Sequence, residues 1–165
     1  MAIYAARESI VITSPYFVPS HSIAEALRIA ALRGVEVSII LPKKNDSLMV
    51  GWASRIFFDD LLAAGVKIYE FKAGLLHTKS VLIDNRLALV GTMNMDLRSF
   101  FLNFELALAV EDLTFANEVS ILHESYIANS DRLNRENGSP AHFITALLNA
   151  CSFCLVRCCK QYNID

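Results

Sequence analysis

The stretch Leu75–Glu105, LLHTKSVLIDNRLALVGTMNMDLRSFFLNFE, decides how this chain is read. Lys79–Ile83 and Leu87–Val90 have the pattern of short strands, and Asp84–Arg86 between them is short enough for a tight hairpin. Met95–Phe101 predicts one or two helical turns, Phe104–Val110 another strand, and Thr114 to about Ser130 a helix. Along this framework His77, Lys79, Asp84, Asn94 and Glu105 stand at fixed offsets, so the stretch carries chemistry as well as fold.

Outward from it, towards the N-terminus, the pattern changes to strand followed by helix. Ser9–Ser14 is a β-branched run that stops at Pro15, and Pro15–Pro19 reads as a rigid loop at its end. Ser20 or Ser22 is placed to cap a helix with Ile23, Leu27 and Ala30 on one face and Gly34 as its stop. Val35–Leu41 is nearly continuously apolar, which predicts a strand buried on both faces. Asp46 or Ser47 caps a longer helix running to about Ala64, ended by Gly65, and Val66–Phe71 is the third strand. Strands alternating with helices predict an α/β fold, a mixed and largely parallel sheet flanked by helices, parallel at this end of the chain.

Composition limits the partners. The chain has 165 residues, 54% of them hydrophobic and 19% charged, with a mean hydropathy of +0.38, towards the apolar end for a soluble protein. That suits a domain working near a membrane or lacking a packing partner. A net charge of -2 and a pI near 6.1 give no basic footprint, so no nucleic-acid partner is expected. No secretory leader is read at the N-terminus. Cys151, Cys154, Cys158 and Cys159 are confined to the last fifteen residues, unlike a disulfide framework spread through a fold, and the folded part reads as a cytoplasmic domain. Residues 1–131 form the expected domain, 132–140 a polar linker, and 141–165 an apolar, Cys-rich tail. Within the tail Ala141–Cys159 carries His142, Asn149 and Arg157, which favours an interfacial helix over a spanning one. The tail's cysteines form only a weak metal pattern, so neither a metal nor a cofactor is assigned.

The residues of the central stretch suit a phosphate ester. His77 and Lys79 are two apart, and on an extended strand they share a face. An imidazole can attack phosphorus or move a proton near neutral pH, and an ammonium neutralises a non-bridging oxygen. Gly91 allows close backbone approach to a ligand, and Thr92 and Asn94 can donate to phosphate oxygens without adding charge. Glu105 can accept the second ring N–H of His77 and fix its tautomer. Asp84 falls on the opposite face from Lys79, which gives it a turn or supporting role. Singly, each has an ordinary explanation: a satisfied core His, a solvated Lys, a strand-end Gly-Thr. Jointly they are much harder to explain that way.

H-x-K-x-x-x-x-D (His77, Lys79, Asp84) followed by G-[ST]-x-N (Gly91, Thr92, Asn94) resembles the signature of the phospholipase D superfamily. SPYFVP at Ser14–Pro19, HTKSVLID at His77–Asp84 and GTMNMDLRSFFLNFEL at Gly91–Leu106 are similar to the C-terminal catalytic half of bacterial cardiolipin synthases, and the resemblance extends over Ile3–Asp131. It implies a metal-free, two-step phosphatidyl transfer. The histidine of one half forms a phosphohistidine, that of the other half protonates the leaving alcohol, and a second phosphatidylglycerol takes up the phosphatidyl group to give cardiolipin. Carried over, His77 is nucleophile or acid/base, Lys79 and Asn94 bind phosphate, and Glu105 orients His77. Asp84 completes the catalytic set, with Gly91, Thr92 and Tyr16 binding substrate. The implied location is the cytoplasmic side of the bacterial inner membrane.

The chain holds one H-x-K, whereas the implied mechanism needs two. His21, His123 and His142 lack a Lys at the second following position. Either a homodimer brings two His77 side chains together, or a second half domain supplies the other motif. The wording of a C-terminal half favours the second reading. A homodimeric phosphodiesterase or nuclease of the same superfamily, or a catalytically silent membrane-associated fragment, are the alternatives.

Overall fold

Five residues, Ser9–Thr13, form the strand from which the sheet is built, because Ile10 and Ile12 face one side and are fully buried. Each such side chain contributes about 1.5–3 kcal/mol on burial. The computed structural model describes residues 2–44 and 48–134. In chain order the elements are α1 (Ala2–Ala5), β1 (Ser9–Thr13), β2 (Phe17–Val18), α2 (His21–Leu32), β3 (Glu36–Pro42), α3 (Leu48–Ala63) and β4 (Lys67–Phe71). There follow β5 (Ser80–Ile83), β6 (Leu87–Gly91), β7 (Met95–Asp96), α4 (Leu97–Phe101), β8 (Ala107–Glu111), α5 (Leu113–Ala128) and β9 (Ser130–Arg132).

A seven-stranded sheet runs β8-β6-β5-β1-β3-β4-β9. It is mixed. β1, β3 and β4 are parallel, as the alternation of strands and helices predicts, while the other four pairings of this sheet are antiparallel, so its parallel pairing is confined to the N-terminal strands. The reason is connectivity: the parallel strands are joined by helices, whereas β5 and β6 are joined by a hairpin and β9 returns directly from α5. Ser20 caps α2 by accepting from Ile23 N, and Gly34 and Gly65, with φ of 92° and 97°, end α2 and α3 in the left-handed conformation. The hairpin turn has Asp84 and Asn85 at φ 52° and 49°, the pair of positive angles of a type I′ turn.

The main core lies between the β1-β3-β4 sheet and α2 and α3, with Ile10, Ile12, Ile39, Ile68, Leu27 and Leu61 buried in it. A smaller cluster of Leu82, Ala88, Ala116 and Val119 packs α5 on the opposite face. Pro15–Pro19 is more than a loop: Phe17–Val18 pairs in parallel with Met95–Asp96 as a two-stranded sheet. The body also runs past Asp131 and into the expected linker, since β9 pairs with β4 and Leu133 N donates to the Ile68 carbonyl at 2.8 Å. Asp131 accepts from Lys43 and Lys72, each at 2.5 Å, and these two bonds hold its carboxyl down at about 2. The remainder of the linker, the apolar segment Ala141–Cys159, the four cysteines and the caps at Asp46 and Ser47 lie outside the described residues.

Gly91 shows how closely β6 and β8 approach. A Cβ there would lie 2.1 Å from the Leu106 carbonyl oxygen and 2.8 Å from the Ala107 Cα, both backbone atoms. The absent side chain therefore makes room for β8, not only for a ligand. Gly91→Ala is expected to destabilise the chain by about 2–3 kcal/mol through this overpacking, read as a lower urea midpoint at unchanged slope; an unchanged midpoint would refute the close approach.

Candidate active site

Three segments meet at the end of β1. Ser14, buried, donates its hydroxyl to the Tyr16 carbonyl at 2.6 Å and accepts from Met95 N at 3.0 Å, which ties the Pro15–Pro19 segment to the one bearing Asn94. Between them the chain enters β5 carrying His77 and Lys79. His77 is exposed and lines a cavity of about 220 Å³ with Tyr16, Pro15, Pro42, Lys44 and Leu75. Among the described residues its ring has no hydrogen bond, while its carbonyl accepts from Lys79 Nζ at 2.8 Å.

Lys79 faces a second cavity, of about 280 Å³, together with Gly91 and Asn94. Its walls are mainly apolar, formed by Ile3, Ile23, Leu89, Met93 and Phe100 among others. Burial pulls the Lys79 ammonium below its ordinary pKa, and the Glu105 carboxylate acts in the other direction. Asn94 donates weakly to Ser99 Oγ at 3.3 Å, and its Oδ1 is buried with no partner among the described residues. Lys79, Gly91 and Asn94 thus share one cavity, and His77 and Tyr16 share the other.

Glu105 does not serve His77. Its carboxylate accepts from Thr92 Oγ1 at 2.5 Å and Asn103 Nδ2 at 3.2 Å, and these two bonds, the Thr92 one foremost, keep it below the usual carboxylate range. Thr92 in turn accepts from Leu106 N at 3.0 Å, so Thr92 and Glu105 lock the start of β8 onto the end of β6. In place of the expected orienting bond to His77, the Glu105 carboxylate makes this brace, its oxygens taken by Thr92 and Asn103.

Asp84 belongs to a different place. It stands at the end of β5 opposite His77, and its oxygens accept from the backbone N–H groups of Arg7 (3.0 Å), Glu8 (2.8 Å) and Ser9 (2.9 Å). These bonds give the carboxylate the supporting part, fastening the hairpin to the start of β1. The residues that sequence reasoning missed are Ser14, Ser99 and Asn103, small polar groups whose partners are set only by tertiary packing. Asp96, which caps α4 by accepting from Ser99 N at 2.7 Å, had a visible signal in the Asp-x-x-Ser spacing.

Residues 1–125 match the family model described as cardiolipin synthase, PLD-like domain. Cardiolipin synthase A of Edwardsiella ictaluri is 59% identical over 133 residues, which is 81% of this chain and 27% of that protein. The Pectobacterium carotovorum enzyme of the same name is 58% identical over the same shares. The chain therefore spans about a quarter of the length of these relatives. Among solved structures, the phospholipase D family member Nuc from Salmonella typhimurium superposes with a TM-score of 0.73 at 20% identity, covering 81% of this chain and 86% of that one. Phosphatidylserine synthase from Haemophilus influenzae gives 0.66 at 18% identity, covering 90% and 41%. At these identities the structural likeness is one of fold.

The Asp84 clamp yields a pH-dependent outcome. Burial alone would raise its carboxyl, but the backbone donors of Ser9, Glu8 and Arg7 hold it below the ordinary value. Its stabilisation is present above the unfolded pKa of about 3.9 and is lost as pH falls through the lower folded value. Asp84→Asn should cost about 1–2 kcal/mol at pH 7, discounted for partial exposure. In chemical denaturation the gap from the wild-type chain should close below about pH 4; a gap constant with pH would contradict the clamp.

Proposed function

Because the chain belongs to the cardiolipin synthase family of phospholipase D-like domains, we propose that it supplies one half of a phosphatidyltransferase active site that makes cardiolipin from phosphatidylglycerol. One juxtaposition supports this above others. Lys79 and Asn94, a cation and an amide suited to phosphate oxygens, border a cavity whose walls are apolar, and His77 stands in the neighbouring cavity. A phosphodiester joined to hydrocarbon suits that lining better than a nucleic acid does, and the net charge of -2 agrees.

In the proposed reaction the histidine of a second half domain attacks the phosphorus of phosphatidylglycerol. The P–N bond forms as the P–O bond to glycerol breaks, and His77, protonated, gives its proton to the departing glycerol oxygen. His77, now neutral, takes the proton from a hydroxyl of a second phosphatidylglycerol as that oxygen attacks phosphorus. The P–O bond forms, the P–N bond breaks, and cardiolipin leaves. Lys79 and Asn94 hold the non-bridging oxygens, with Thr92 and Glu105 fixing the wall beside them. Tyr16 borders the cavity of His77 and contacts substrate there.

The partner is a second phospholipase D-like half domain. Exposed apolar side chains flank the site residues in sequence, Leu75 (87% exposed) before His77 and Phe101 (73%), Phe104 and Leu106 around Glu105, and such a partner would cover them. Among the described residues no helix is long and apolar enough to cross a membrane. The proposed location is a membrane surface, where the lipid substrate lies.

Incubation with labelled phosphatidylglycerol, with and without a separately expressed N-terminal half from a cardiolipin synthase, tests the proposal. Cardiolipin is expected in the mixture, reduced on the order of 10³-fold or more by His77→Ala. Cardiolipin from the chain alone would mean that two copies complete the site, and none under either condition would overturn the proposal.

A further inference from the structure

The H-x-K segment is held from behind. Thr78 Oγ1 and Tyr126 OH are hydrogen-bonded at 2.8 Å, and Ser80 Oγ and His123 Nε2 at 2.8 Å. His123 and Tyr126 are three residues apart on α5 and so share a face of that helix. Thr78 and Ser80 are the residues that alternate with His77 and Lys79. Consecutive side chains along an extended segment point to opposite sides, so what grips the even positions sets the direction of the odd ones. We propose that Tyr126 and His123 are positioning residues, which through Thr78 and Ser80 fix how His77 and Lys79 face the site.

Three observations give this weight. Leu75–Thr78 precedes β5 and lacks a strand's ladder. From Leu75 to Thr78, the hydrogen bonds among the described residues are the Lys79 ammonium on the His77 carbonyl and Thr78 with Tyr126. Tyr126 is itself immobilised by an edge-on contact with Phe71, ring centroids 5.3 Å apart at 73°. His123 is 2% exposed, and burial lowers its pKa to about 4, so near neutrality the ring is uncharged and the bond to Ser80 is one between neutral partners. Its Nδ1 is buried with no partner among the described residues, which leaves the Ser80 bond to define the ring's orientation.

The inference rests on the proposed roles of His77 and Lys79, and its test separates the two. Tyr126→Phe keeps the ring against Phe71 and removes only the hydroxyl; Thr78→Val removes the other partner at similar shape. In the reconstituted transfer assay with the N-terminal half, each should lower kcat on the order of 10-fold or more with KM within about two-fold. The double variant should fall no further than either single one, since both break the same bond, and Thr78→Ser, which keeps a hydroxyl, should restore the rate. Unchanged kcat in Tyr126→Phe, or effects that add, would overturn the positioning role. Should the wild-type chain make no cardiolipin, the proposed function fails and amide hydrogen exchange decides the inference separately. Exchange at the Ser80 and Val81 amides, the first of the β5 ladder, about ten-fold faster in Tyr126→Phe, with β3 amides unchanged, supports it, and unchanged exchange overturns it.

Discussion

The antiparallel seam between β1 and β5 is the constraint on which the rest of the structure depends. Ile10 pairs with Ile83, Val11 with Leu82, Ile12 with Val81 and Thr13 with Ser80. On one side of the seam lie the parallel strands and their helices, and on the other the hairpin and β8. A slip of one residue would turn Val81 and Ile83 away from the main core and reverse the faces of the residues leading into β5. Asp84 guards against it by gathering three backbone N–H groups at the start of β1, while Ser14 joins the other end to Met95. The sheet register and the point at which the His77 segment enters the sheet are therefore set by the same pairing.

What that register assembles is the side of a site with little charge. Lys79 shares a cavity with Asn94, and burial pulls its ammonium below the ordinary pKa, a cost that a nearby phosphate anion would offset. Glu105 is kept ionised by Thr92 and Asn103 and balances Lys79 until then. Asn94 adds dipoles, and Gly91 keeps β8 close enough for Leu106 to bond Thr92. His77 is exposed, and among the described residues no group hydrogen-bonds its ring to fix a tautomer. The acid/base part proposed for this imidazole needs a second surface closing over it, and Phe101, Phe104 and Leu106 are exposed for such a contact.

The long elements were legible because their signals are local: the β-branched run at Ser9–Thr13, the apolar run of β3, the Gly stops at Gly34 and Gly65, and the Asp-Asn turn between β5 and β6. The two-residue strands at Phe17–Val18 and Met95–Asp96 were not, since a pairing of that length leaves no period to read and exists only through its partner. β9 escaped for a related reason, its sequence Ser-Asp-Arg being polar like a linker. Of the site, His77, Lys79, Asn94 and Thr92 stood out through their spacing. The partner of Glu105 did not, because parity along a strand says which face a side chain takes and not which neighbour reaches it first. Asp84 illustrates the same limit, as its three acceptor bonds go to residues more than seventy positions away.

The central claim, that His77 belongs to half of an active site, is tested most directly by stoichiometry. The N-terminal half of a cardiolipin synthase is titrated into a fixed amount of this chain while the initial rate of cardiolipin formation is followed. The rate should rise with added partner and level off at one partner per chain. A rate that is already maximal without partner and proportional to the concentration of this chain alone would contradict the claim.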